Sequence, residues 1–150
     1  MSNITTVYDT LLEACAVLLP NKTKIPNPYF LYENAENFLR EGYGLKINST
    51  DLEESEFNKY NYGTDYSVIL TREVIRTNEN TLAIEIATKD LMEDMHVLRK
   101  DFYNVDQLGI DNNLQRVDLG SSSGVEFIAS EKFNFVSIEV SFTAYIEETL

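Results

Sequence analysis

Histidine, cysteine and paired carboxylates are the side chains best suited to chemistry near neutral pH, and this chain offers few usable sets of them. Its one histidine, His96, lies between Met95 and Val97, where a surface or interface role outweighs catalysis. Its one cysteine, Cys15, falls on an apolar helical stripe and reads as a buried structural thiol. One His and one Cys do not complete a tetrahedral zinc site. The glycines are scattered or sit in "GYG" and "GSSSG", so no phosphate-cradling loop is present. Glu53/Glu54, Glu93/Asp94 and Glu147/Glu148 are adjacent pairs, and neighbours on a helix or strand point in different directions. Asp101, Asn104, Asp106 and Asp111 supply hard oxygen ligands, but their spacing lacks the EF-hand pattern and its bidentate glutamate. No catalytic, cofactor-binding or metal-binding residue is assigned, and the chain is not expected to be an enzyme.

What positions these residues is most simply one domain spanning 1–150, large enough to bury a core without disulfides or metal. The single cysteine excludes an internal disulfide and fits a reducing compartment. Acidic residues number 25 against 12 basic ones, giving a formal charge of −13. A duplex-binding protein would show a basic patch, and none is visible. The opening "MSNITTVYDTLLEACAVLLPNK" lacks the basic start of a secretion signal, and no run reaches the roughly 18 apolar residues of a membrane span.

Periodicity supplies the elements. Val7, Leu11, Ala14, Cys15 and Leu18 form the stripe of a first helix, with Thr6 as its cap, Asp9 in the capping-box position, and Pro20 and Asn21 as its stop. The Pro26–Pro28 region predicts an extended loop, with a helical turn near Ala35 to Leu39. Tyr43, Leu45 and Ile47 alternate as a strand, and "NSTDLEESEFNKYNYG" reads as a loop or hairpin arm. "TDYSVILTREVIRT" is apolar on both faces, with Tyr66, Val68 and Leu70 on one and Ile69 and Ile75 on the other, which predicts a central strand.

Ile84, Thr88, Leu91, Met95, Leu98 and Phe102 form a helical seam that favours one helix from about Thr81 to Tyr103. Alternation of Leu82, Ile84 and Ile86 keeps open a strand followed by a helix from Thr88. Asn104 to Asn113 is a loop, and "LQRVDL", "GVEFIAS" and a closing strand complete the chain, with "GSSSG" as a turn. In that closing strand Val136, Ile138, Val140, Phe142, Ala144 and Ile146 alternate with Ser137, Glu139, Ser141, Thr143 and Tyr145. The pattern is roughly twice an ordinary strand in length, so part of it is expected to outreach its own sheet and need another surface. The order α, β, β, α, β, β, β predicts an α+β fold: a mainly antiparallel sheet with two helices packed on one face and a long C-terminal strand.

The layout then resembles a known family. "KIPNPYFLYENAENFLREGYGLKI" joins the first helix to a Gly-Tyr-Gly strand entry, followed by "LTREVI", "DLMEDMHVLRKDF" and "FVSIEVSFTAYIEE". Over nearly the whole chain this resembles the tail terminator, or tail completion, proteins of tailed bacteriophages. The resemblance implies a non-enzymatic virion protein in the tail or neck, found in the host cytoplasm during assembly. It implies a hexameric ring at the head-proximal end of the tail tube that stops tube polymerisation and joins the head. The implied partners are further copies of the chain, the tail tube protein and a head-completion or connector protein, with no membrane. DNA would only pass through the lumen, and an acidic interior would repel its phosphates.

Within that reading the interface candidates are Phe57, Tyr60 and Tyr62 of the Asp51–Gly63 arm. Val136, Ile138, Val140, Phe142 and Tyr145 are the candidates on the closing strand. Asn104 to Asn113 is a further contact candidate. Alternatives are another phage neck, head-completion or minor tail protein, or a small cytosolic ligand-binding domain or enzyme. A ligand-binding domain would carry a tyrosine-lined pocket between helices and sheet, with its long strand covered within its own fold.

Overall fold

A computed structural model describes residues 3–29, 40–75, 80–104, 113–129 and 133–149. Helix α1 (Asn3–Leu18) is followed by strands β1 (Thr23–Lys24), β2 (Gly42–Glu56) and β3 (Lys59–Val74). Helix α2 (Asn80–Tyr103) leads to β4 (Leu114–Ser122), β5 (Glu126–Ala129) and β6 (Asn134–Thr149). The strands make one six-stranded sheet in the order β1-β2-β3-β6-β4, with β5 also on β6. Among the described strands β1 and β2 run parallel and the other pairs antiparallel. This is the expected α+β architecture, with both helices joined to a single core cluster on one face.

Strand parity explains that core. β3 and β6 pair from Lys59↔Thr149 to Val74↔Asn134, so Tyr66 lies opposite Phe142, Val68 opposite Val140 and Leu70 opposite Ile138. These even-numbered residues face the helices and are buried. The odd-numbered series turns the other way and carries Asp65, Ser67, Ser141, Thr143 and Tyr145. β3 lies between β2 and β6 and is central, as its two apolar faces predicted. The long closing strand, however, does not outreach its sheet. All of β6 is paired on one side by β3, while β5 and β4 cover most of its other side. β3 is itself 16 residues long, because the arm read as loop or hairpin is a continuous β2–β3 ladder closing at Glu56↔Lys59 around a Phe57–Asn58 turn.

Two other expectations change. Helix α1 begins at Asn3, so Thr6 and Asp9 lie within it and do not form its cap. The Ile4 N–H instead donates to Glu148 Oε1 at 3.0 Å, and Asn3 Nδ2 donates to the Glu147 carbonyl at 2.6 Å. A carboxylate from the last strand thus meets the positive end of the first helix. The predicted α1 stripe does face the core, with Val7, Leu11 and Cys15 buried.

In α2 the single helix prevails over the strand alternative, but its first two turns are rotated from the predicted seam. Ala83 and Ala87, rather than Ile84 and Thr88, continue the buried series Leu91, Met95, Leu98 and Phe102. Small side chains let this end of α2 lie close to the sheet, and the larger Leu82, Ile84 and Ile86 remain exposed. On the opposite face, Pro28 packs so closely on Gly44 that a Cβ there would sit 2.6 Å from the proline Cβ. Phe133 and Phe135 form a small separate apolar group with Ile128. No described helix is long and apolar enough to cross a membrane. The predicted turn near Ala35 to Leu39 and most of the Asn104–Asn113 loop lie outside the described residues.

The rotated seam has a measurable consequence. Ala87→Leu should overpack the α2–sheet contact and lower unfolding stability by about 1–3 kcal/mol, whereas Ile84→Ser should change it by less than about 0.5 kcal/mol. Urea unfolding of both variants checks this, and the reverse order would restore the predicted seam.

Candidate functional site

Two regions concentrate unusual side chains. The first begins with Lys22, in the turn after α1, whose side chain is only 2% exposed. An ammonium has three N–H donors, and here it hydrogen-bonds a carbonyl and a carboxylate and pairs with a second carboxylate. Lys22 Nζ donates to the Thr71 carbonyl at 2.6 Å and lies 3.2 Å from both Glu41 Oε2 and Asp94 Oδ2. Arg72 extends the network, reaching Asp94 Oδ2 at 3.3 Å, Asp90 Oδ2 at 3.5 Å and Glu41 Oε1 at 3.6 Å. Gly42 N–H donates to Thr71 Oγ1 at 2.8 Å, fastening the start of β2 to the end of β3. Two cations against three carboxylates leave the cluster one negative charge in excess.

Beside this cluster a groove of about 340 Å³ opens between α2 and the end of the sheet. Its floor and wall are Ile75, Leu82, Ala83, Ile86 and Ala87, and Glu41, Arg72, Glu73 and Asp90 supply its charges. No tyrosine lines it, in contrast to the pocket expected of a ligand-binding domain. The sequence pattern places Ile75 on the reverse face of β3, but it lies past the strand end and is exposed in this groove. Sequence reasoning did not single out Lys22, Glu41, Arg72 or Asp90. The available signal was Arg72, a charge continuing the core-facing series Tyr66, Val68 and Leu70. Lys22 carried none, because its acceptors are remote in sequence. Asp94 was noted only as a neighbour of Glu93, and the two diverge: Asp94 enters the cluster while Glu93 is exposed.

The second region is the β2–β3 arm. Near its base the outer edge of β2 is occupied: β1 pairs with Gly42 and Tyr43, and Tyr8 Oη donates to the Leu45 carbonyl at 3.2 Å. Tyr29 Oη accepts from the Ile47 N–H at 2.9 Å. From Asn48 to Glu56 that edge has no strand partner among the described residues. Register shifts between Ile47 and Ser49 and between Leu52 and Glu54 interrupt this stretch. Leu52 is exposed along it, and Phe57 at the tip is 99% exposed.

The remaining sequence candidates separate by depth. Tyr60 is half-buried and Tyr62 is buried, its Oη donating to Glu148 Oε1 at 2.9 Å. Val136, Ile138, Val140 and Phe142 fill the core beneath the helices and present no surface to a partner. Their parity made them candidates for a second surface, but the chain's own helices cover that face. Tyr145 lies half-buried on the opposite face, with the Arg116 guanidinium carbon 4.0 Å from its ring centre. His96 is exposed. Among the described residues no group of three or more His, Cys, Asp or Glu side chains is arranged to hold a metal.

Burial leaves the inner thiol and phenols in their neutral forms. Desolvation pushes Cys15 up to about 12, and burial likewise raises Tyr66 and Tyr62, the latter helped by its hydrogen bond to Glu148. No family model matches the chain, and no match is found among curated proteins.

Two outcomes are expected. Lys22→Met removes one cation from the partly exposed Glu41 and Asp94 and leaves the buried Thr71 carbonyl without its donor, so it should cost about 1–3 kcal/mol in urea unfolding, with Asp94→Asn in the same chain recovering part of the loss. A cost below about 1 kcal/mol would show the network to be dispensable. Separately, Cys15 and the two tyrosines bind protons more tightly when folded than when unfolded. Their stabilising contribution is present below about pH 9 and lost as pH rises toward about 12, so urea midpoints should fall across that window.

Proposed function

We propose that this protein is a structural ring-forming component of a phage tail, placed at the head-proximal end of the tail tube in the manner of a tail terminator. The observation that carries the reading is the β2 edge from Asn48 to Glu56, which ends at the exposed Phe57. β4, on the other side of the same sheet, has no strand partner beyond β6 among the described residues. Two free edges on opposite sides of one sheet suit heterologous, head-to-tail association, which makes a ring if the rotation closes and removes exposed edges. The α+β layout is also of the kind the resemblance implies.

The sheet face turned away from the helices suits a channel wall. Asp65 accepts from Ser49 Oγ at 2.9 Å and Thr143 Oγ1 at 2.7 Å, and Lys46 pairs with Glu139. Such a hydroxyl-rich face, with Lys46 already paired, would give passing phosphates little to hold. A second reading, a small ligand-binding domain, is favoured by the groove beside α2 and by the coverage of β6 within its own sheet, along one whole side and most of the other.

Mixing the protein with tail tubes of the same virus and imaging by negative-stain electron microscopy separates the two. The expected result is a ring on one end of each tube and arrested growth. A Leu52→Glu/Phe57→Ser variant should keep its fold, since both side chains are exposed, and should lose capping. Bare tubes with the unaltered protein would overturn the ring reading in favour of the ligand-binding domain.

A further inference from the structure

We propose that the groove beside α2 is a docking site for a partner segment that presents a lysine or arginine among aliphatic side chains, most simply one face of an amphipathic helix. Such a site is open to a partner whether or not the chain forms a ring. Leu82 and Ile86 lie one turn apart on α2 and, with Ile75, leave an aliphatic strip exposed along the groove. Such a strip matches the i, i+3, i+4 face of a helix laid against it.

Charge selects which helix. Three of the four charged side chains lining the groove are carboxylates: Glu41, Glu73 and Asp90. The fourth, Arg72, already faces Glu41, Asp90 and Asp94 within the chain. Asp90 remains 46% exposed while touching Arg72, so it has oxygen surface left for an incoming cation. Glu73 meets Arg40 only at 3.9 Å. A second copy of this chain, with a formal charge of −13, would bring like charge to the site. A basic, apolar-flanked segment meets both requirements together, and a cavity of about 340 Å³ holds the ends of a few side chains, not a whole folded surface.

The test uses the full chain, isotope-labelled for amide NMR, and two capped helical peptides of about fifteen residues. One carries a central lysine with leucines at i±3 and i±4, and the other has glutamate in place of the lysine. The lysine peptide should shift the amides of Ile75 and Leu82 to Asp90, bind about tenfold more tightly than the glutamate peptide, and weaken with added salt. Ile86→Ser should abolish the shifts without altering the rest of the spectrum, because Ile86 lies outside the core. Asp90→Asn should narrow the difference between the peptides. Equal affinity for both peptides, shifts confined to other surfaces, or concentration-dependent self-association that protects the groove would each overturn the proposal.

Discussion

The pairing of β3 with β6 governs the molecule. From Lys59↔Thr149 to Val74↔Asn134 the two strands run side by side, and the strict alternation of side chains makes one register decide the face of every residue in both. A slip of one residue would put Glu139, Ser141 and Thr143 under the helices and turn Val140 and Phe142 to the polar face. The same register brings Glu148 beside Tyr62 and delivers its carboxylate to the start of α1. The beginning and end of the chain are therefore joined through the central ladder, and α1 is capped by a residue that lies far from it in sequence.

At the other end of the sheet the fold meets a harder problem, the burial of charge. An ammonium removed from water is tolerable only when it is paired and hydrogen-bonded, and Lys22 achieves this with one carbonyl and two carboxylates drawn from three different segments. Arg72 joins the same acids at a position where the core-facing series of β3 would otherwise continue apolar. The seating of α2 compounds the effect. Because Ala83 and Ala87 take the inner positions, the bulkier Leu82 and Ile86 are turned outward beside these charges. The groove is thus a consequence of how helix, sheet and buried lysine are reconciled.

Sheet edges show a division of labour along β2. Close to the helices, β1 and the hydroxyls of Tyr8 and Tyr29 occupy backbone groups that would otherwise invite another strand. Farther out, among the described residues, the edge is guarded by register shifts and by acidic residues such as Asp51, Glu53 and Glu56. Those devices discourage indiscriminate pairing but leave room for a partner of suitable shape and charge. The ring reading draws on the outer part of the arm and the docking reading on the groove, so the two surfaces are chemically distinct.

Local periodicity alone was enough to determine the α+β class, the order of the elements apart from the two-residue β1, the central position of β3 and the apolar side of α1. These follow from spacings of 2.0 and 3.6 residues, which a linear sequence carries in full. What it could not carry was anything decided by distant segments meeting. The length of β6 was legible, but its coverage by an equally long β3 was not, because the β2–β3 arm looked polar enough to be a loop. The inner residues of α2 were displaced by one position, since two alanines can win a buried seam from isoleucine and threonine when close approach to the sheet matters more than side-chain area. Only the tertiary structure could assemble Lys22, Glu41, Arg72, Asp90 and Asp94, because charge pairing at a few ångströms depends on which backbones meet and leaves no periodic trace in the sequence.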